Sequence, residues 1–436
     1  LSHGISHDDL DARIVALQKK LGPEQIGQIV DVILAEAVRC QASDVHFEPT
    51  QRDSLVSMSV RFRIDGVLQH AARLSMDIAA NIVARLKVLA DLLTYRIDVP
   101  QEGRLASAMG KFGVDMRVST FPTIHGEKAA VRVFDAAEHT LNLEQLGLPA
   151  EFLAEWQTLL RERTGALFLT GPSGSGKTTT IYACLRHLLH ESGGGRHIVT
   201  IEDPVEQVLE GVTQSQVRTG TEFDFARGLR SLLRQDPEII MIGEVRDPET
   251  ARIAIEAALT GHLVFSSLHA GSSCGVVGRL LDMGVEPYLL TSGLKAILNQ
   301  RLVRRLCPAC RTGTGSSESG VGNRELGIGS RESGIGSGEV ADSPFPIPGS
   351  LLPTPNSRFP VPGCPQCAGT GYHGRLLLAE LLTLNAPLRQ AILARSDTAQ
   401  LEAAAKARWT LASQAAEVVA KGWTTQQEIE RVLGPS

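Results

Sequence analysis

The densest chemistry in the sequence is Gly171-Pro172-Ser173-Gly174-Ser175-Gly176-Lys177-Thr178, with Thr179 behind it. The pattern is that of a phosphate-binding loop, set after an apolar run and ahead of a helical one. Triphosphate oxygens need many donors at close range; glycines let backbone N–H groups approach, and a helix start adds favourable partial charge. In that pattern Lys177 reaches the β- and γ-phosphates and the Thr178 hydroxyl joins a magnesium shell. Two acidic stretches could complete a hydrolytic site. Glu202-Asp203-Pro204-Val205-Glu206 follows the apolar run Ile198–Ile201, and Glu244 follows the run Glu238–Gly243. A water attacking phosphorus needs a carboxylate to orient it and accept its proton, and Glu202 is a candidate. Glu244 is assigned to the attacking water or to the metal's water shell. Spacing does not divide the base role between them. His262 and His269 lie seven residues apart on one apolar run. A straight strand would put them on opposite faces.

Cys307-Pro308-Ala309-Cys310 and Cys364-Pro365-Gln366-Cys367 are two Cys-x-x-Cys pairs, the second followed by Gly369 and Gly371. Four thiolates suit a closed tetrahedral structural zinc site, which leaves no open position for catalysis. The long insertion between the pairs adds only a slowly growing loop-closure entropy. Arg117, Arg132, Arg230 and Arg234 recur near these stretches, and charge developing on a transferred phosphoryl group invites an arginine.

The elements that must position these groups follow from periodicity. After a short remnant or linker (1–20), Ile26, Ile29, Val30, Ile33, Leu34 and Ala37 predict an amphipathic helix. Val60–Ile64 and Val114–Val118 read as strands and Asn81–Leu93 as a helix, which makes 21–145 a small α/β domain. Ala166–Thr170, Ile198–Ile201, Glu238–Ile242 and Leu263–Ser267 alternate with helical patterns, the signature of a mainly parallel sheet over 146–300. A cysteine module spans 301–375, and its Gly/Ser/Pro-rich stretch 311–362 is expected to be disordered, being too polar to offset its ordering entropy. Helical patterning fills 376–436.

The net charge of -5 on 436 residues gives no global case for nucleic acid or an anionic membrane. No apolar run approaches the roughly 18 residues of a membrane span, and the start lacks the order of a signal peptide. The expected address is the cytoplasm.

Taken together, the residues resemble the secretion ATPase superfamily, specifically the type II secretion E-proteins and type IV pilus extension ATPases. The resemblance runs over 22–400 and rests on Ala42–Pro49, Val60–Gly66, Val114–Thr120, the phosphate loop, Glu202–Glu206, Leu232–Glu238, Gly243-Glu244, the His269 box and both cysteine pairs. It implies a RecA-like motor domain preceded by a smaller PAS-like α/β domain, with a tetracysteine zinc module and C-terminal helices. It also implies a homo-hexamer hydrolysing ATP with Mg2+ and holding Zn2+, cytoplasmic and peripheral to the inner membrane. Its partners would be a membrane platform protein and a docking protein. By resemblance Arg117 and Arg132 are small-domain arginines reaching the phosphates, Arg230 and Arg234 motor-domain arginines near the site, and His269 a phosphate sensor. The zinc module resembles assembly rather than retraction ATPases, and Gln300–Leu306 looks closer to the secretion branch. Against the resemblance, the family's usual extra N-terminal domain is expected to be missing or truncated here, and Glu102, Ser267 and Ala270 depart from the common pattern. The alternative reading is an ATP-driven nucleic-acid translocation or DNA-uptake motor of the same superfamily, against which no basic, aromatic-rich groove is present.

Overall fold

The computed structural model describes residues 10, 14–17, 23–52, 55–105, 111–134, 141–217, 223–311, 363–367 and 369–435. Most of the stretch expected to be disordered lies outside them.

The N-terminal half is one antiparallel sheet covered on one face. Helix α1 (Pro23–Arg39) precedes β1 (Asp44–Arg52), β2 (Leu55–Ile64) and β3 (Val67–Ser75); helix α2 (Met76–Leu89) then leads to β4 (Gln101–Arg104), β5 (Asp115–Thr123) and β6 (Gly126–Phe134). The six strands run in the order β3-β2-β1-β6-β5-β4. Alternation decides which face is covered: Val45, Phe47, Phe62, Met116, Val118 and Val131 pack with Ile29 and Ile33 of α1 and Ile82 and Leu86 of α2. Residues of the other parity, Asp44 and Arg132 among them, are left on the open face. Helix α2 starts and stops earlier than its periodicity predicts. Ser75 enters it in an extended conformation. At its end the amides of Ala90 and Leu92 both return to the Lys87 carbonyl (3.1 and 2.9 Å), while Asp91 turns left-handed at φ 56° and stops the helix.

The second half is a seven-stranded sheet. Its helices are α3 (Ala150–Leu160), α4 (Lys177–Glu191), α5 (Phe225–Leu232), α6 (Pro248–Leu259), α7 (Ser273–Asp282) and α8 (Pro287–Gly293). Its strands are β7 (Gly165–Thr170), β8 (Ile198–Glu202), β9 (Thr213–Gln216), β10 (Ile239–Ile242), β11 (Leu263–Leu268), β12 (Leu294–Leu306) and β13 (Tyr372–Thr383). They are ordered β13-β12-β7-β11-β10-β8-β9. Strands β12, β7, β11, β10, β8 and β9 are parallel, and β13 is antiparallel on the edge. The predicted parallel runs are all present. Each is buried along its length and sandwiched between helices, which is why each reads as a continuous apolar stretch rather than an alternating one.

Short helix α9 (Pro308–Arg311) carries Cys310, and α10 (Ala386–Leu393), α11 (Thr398–Ala405), α12 (Leu411–Ala420) and α13 (Gln426–Leu433) complete the chain. Among the described residues no helix is long and apolar enough to cross a membrane.

Candidate functional site

Parallel strands all present their C-terminal ends to the same edge, and in an open α/β sheet ligands bind there. Strand β7 ends at Thr170 and the chain turns through the glycine loop into α4, whose first residue is Lys177. Two glycines are needed for this turn. Gly171 has φ 143°, and a Cβ there would stand 2.5 Å from the Gln300 carbonyl; Gly176 enters the helix left-handed at φ 87°. Lys177 Nζ donates to the carbonyls of Gly171 and Pro172, both at 3.0 Å. Burial lowers the pKa of its ammonium, and the Glu244 charge opposes the shift. The Ser175 hydroxyl is buried beneath the loop without a protein partner. A loop of glycine amides, an ammonium and an unpartnered hydroxyl fits a polyphosphate, and Thr178 beside Lys177 fits its magnesium.

The two candidate carboxylates occupy different environments. Glu202, at the end of β8, is 2% exposed. It accepts hydrogen bonds from Thr200 Oγ1 at 2.5 Å, from Gln214 Nε2 at 3.1 Å and from the Tyr182 hydroxyl on α4. Burial, and next the hydrogen bond to Glu202, push the Tyr182 phenol pKa up, so it stays a donor. Glu244 follows β10 and faces the loop. It pairs with Arg246 and lies 3.6 Å from His269 Nε2, while Arg246 also reaches Asp203 at 3.2 Å. His262 sits at the other end of β11, its Nδ1 2.9 Å from the Ala257 carbonyl.

A cleft of about 1250 Å³ separates this edge from the N-terminal sheet. Its lining brings together Ser173–Thr180, Glu202, Glu244, Arg246 and His269 with Asp44, Arg63 and Arg132 from the opposite wall. Arg132 lies 3.4 Å from Asp44. The other three predicted arginines are outside the cleft. Arg117 stands over the Phe134 ring at 5.2 Å, Arg230 pairs with Glu249, and Arg234 is exposed beyond α5. Sequence reasoning missed Tyr182, Thr200 and Gln214 around Glu202, and it quoted Asp44 and Arg63 only as part of motifs. Their signal is cross-strand register, which single-segment patterns do not display.

The four cysteines converge at the end of the β12–β13 ribbon, their sulfurs all within 4.8 Å of one another. Cys307–Cys364, Cys310–Cys367 and Cys364–Cys367 are 3.8, 3.7 and 3.8 Å apart. Sulfurs about 2.3 Å from a tetrahedral zinc stand about 3.8 Å apart, whereas a disulfide needs about 2.05 Å. The amides of Cys364 and Gly371 each donate to Cys367 Sγ at 3.2 Å, neutralising thiolate charge. The set fits zinc, which would cross-link the ribbon and supply no catalytic chemistry.

Comparison with known proteins agrees with this geometry. The family model for "Type II/IV secretion system protein" matches residues 19–431. A putative type II secretion system protein E of Escherichia coli K12 is 40% identical over 93% of this chain and 76% of its own length. The type II secretion system ATPase E of Vibrio cholerae is 37% identical over 94% of this chain and 75% of its own. Among solved structures, the Legionella pneumophila ATPase DotB aligns with TM-score 0.61 at 19% identity, covering 92% of this chain and 94% of that one. The pilus retraction motor PilT with bound ADP aligns with TM-score 0.55 at 23% identity, covering 93% and 96%. The structural likenesses establish the fold, the sequence relatives the lineage, and with a phosphate loop and two carboxylates gathered at one edge of its parallel sheet, the chain belongs to the type II/IV secretion system protein family as one of its secretion ATPases.

Proposed function

We propose that the chain is the cytoplasmic, ring-forming motor of a type II secretion machine, hydrolysing ATP in the cleft to drive pseudopilus assembly. The observation that carries this is the convergence of Lys177, Glu244 and His269 on one cleft wall with Arg132 on the other. ATP phosphates lie on the glycine loop, with Lys177 on the β- and γ-phosphates and Thr178 holding magnesium, which neutralises developing charge. Glu244, oriented by Arg246 and near His269, positions the attacking water. Glu202 already accepts three hydrogen bonds, so it serves as a buried anchor that fixes α4 and β9 against β8. Arg132 closes on the phosphates from the N-terminal wall. Arg230 and Arg234, both exposed and outside this cleft, would serve a neighbouring copy in a hexamer. The relatives' names favour type II secretion over a pilus, and peripheral attachment would run through a membrane platform protein and a docking protein of that machine.

The test is magnesium-dependent ATP hydrolysis by the full chain across protein concentration, beside Glu244→Gln. Expected are specific activity that rises with concentration and a variant that binds ATP but turns over about a thousandfold more slowly. A variant that hydrolyses ATP like the wild type would remove Glu244 from the mechanism.

A further inference from the structure

Register places one carboxylate between two arginines on the cleft's N-terminal wall. Asp44 on β1 is directly opposite Arg63 on β2 and Arg132 on β6. Directly opposed residues of antiparallel strands share a face, and this is the open one, away from α1 and α2. The row continues outward, Arg117 opposite Arg132 and Arg104 opposite Arg117. Asp44 stands 3.4 Å from Arg63 Nε and 3.4 Å from Arg132 Nε, and Ser43 Oγ donates to Asp44 Oδ2 at 2.8 Å. Asp44 is 17% exposed and Arg132 64% exposed, so the carboxylate is the fixed partner and Arg132 the free-ended one. Without an anion between them, two guanidiniums one strand apart on either side of β1 would repel.

We propose that Asp44 is the positioning residue of ATP hydrolysis in this chain: it aims Arg132 across the cleft and retains Arg63 when Arg132 moves onto the phosphates. Sharing makes the transfer inexpensive. A carboxylate with a single partner would be stranded when that partner left, whereas Asp44 keeps a guanidinium throughout. The inference rests on the reading of Arg132 given above.

A built-in control lies four residues along β1. Glu48 is likewise shared, between Arg61 and Lys128 (3.2 Å), but none of the three lines the cleft. The experiment compares Asp44→Asn, Asp44→Glu, Glu48→Gln, Arg132→Ala and the Asp44→Asn/Arg132→Ala double variant in full-chain ATP hydrolysis, with thermal unfolding of each. Expected are a kcat about tenfold lower for Asp44→Asn with ATP KM within about twofold, at least half recovery in Asp44→Glu, and a double variant no slower than Arg132→Ala. Glu48→Gln should match the wild type. The proposal is overturned if Asp44→Asn matches the wild type while Arg132→Ala is impaired, or if the two losses multiply. It is overturned as well if both Asp44 variants unfold early and lose activity in step, which would make the role structural. If Arg132→Ala is unimpaired while Glu244→Gln is inert, the phosphate role of Arg132 fails and the positioning role falls with it, leaving the hydrolytic reading standing.

Discussion

Among the described residues the same small device occurs twice, a carboxylate shared by two arginines, in settings that differ by burial. On the motor half, Glu428 of α13 is fully enclosed: Arg304 Nη2 and Arg431 Nη2 lie 2.7 and 2.6 Å from it, and its Oε1 also accepts the Arg304 backbone amide at 3.0 Å. On the N-terminal wall, Asp44 holds Arg63 and Arg132 at 3.4 Å, with the end of Arg132 in solvent and that of Arg63 on the Gly66 carbonyl at 3.2 Å. Burial of the carboxylate keeps water from it and fixes the first set, which pins the C-terminal helix to β12. Exposure leaves the second weak and exchangeable, the property a group needs if it must leave its partner for a phosphate. The motor half is thus pinned at its C-terminal helix, and the N-terminal wall of the cleft is adjustable.

Stability should separate the two devices most. Burial by itself would raise the Glu428 pKa, but hydrogen bonds from Arg431 and Arg304 outweigh it and hold the carboxylate down to about 2. A depressed carboxylate contributes stability above its unfolded value, near 4.5, and loses it as pH falls toward 2. Glu428→Gln should therefore cost about 3 kcal/mol at neutral pH, and the difference between wild type and variant in denaturant melts should shrink as pH falls from about 4.5 to about 2. A constant difference through that window would show that shape, not charge, holds α13. The next effect belongs to the adjustable wall and leaves stability alone. Arg132→Ala should lower kcat about thirtyfold, about 2 kcal/mol of transition-state stabilisation, while Arg117→Ala, whose guanidinium stacks on the cleft-lining Phe134 without itself lining the cleft, should lower it less than threefold. Equal losses would mean the N-terminal sheet engages phosphate along its whole arginine row.

The two walls also differ in how much of them could be read in the sequence. The motor wall is written locally. A buried parallel strand is a continuous apolar run, and a phosphate loop is a contiguous string whose glycines answer to positive φ, so β7, β8, β10, β11 and Gly171–Thr178 are legible one segment at a time. The cysteines are legible for the same reason, since each pair carries its own spacing. The arginine row is not local. Arg63, Asp44, Arg132 and Arg117 meet only because four strands pair in one register, and nothing within any of those segments states its partner. The cage on Glu202 fails in the same way. Tyr182 lies five residues into α4 after Lys177 and Gln214 on an edge strand, positions that carry no chemical signal until β8 and β9 pair.

That cage supplies the smallest effect. If Glu202 is an anchor, its value is spread over Thr200, Gln214 and Tyr182, and losing one donor leaves two in place. Tyr182→Phe keeps the buried ring and removes only the hydroxyl, so it should cost about 1 kcal/mol of stability, with turnover within about threefold of wild type. The hydroxyl also accepts the Glu206 amide at 3.4 Å, so any change in activity should come through the 202–206 turn and raise ATP KM before it lowers kcat. A base would respond differently. Losing a donor that aims the carboxylate at its water would lower kcat about tenfold with ATP KM unchanged. Such a loss in Tyr182→Phe would assign the base to Glu202; turnover near wild type there, beside a loss of kcat in Arg246→Ala, would leave the role with Glu244.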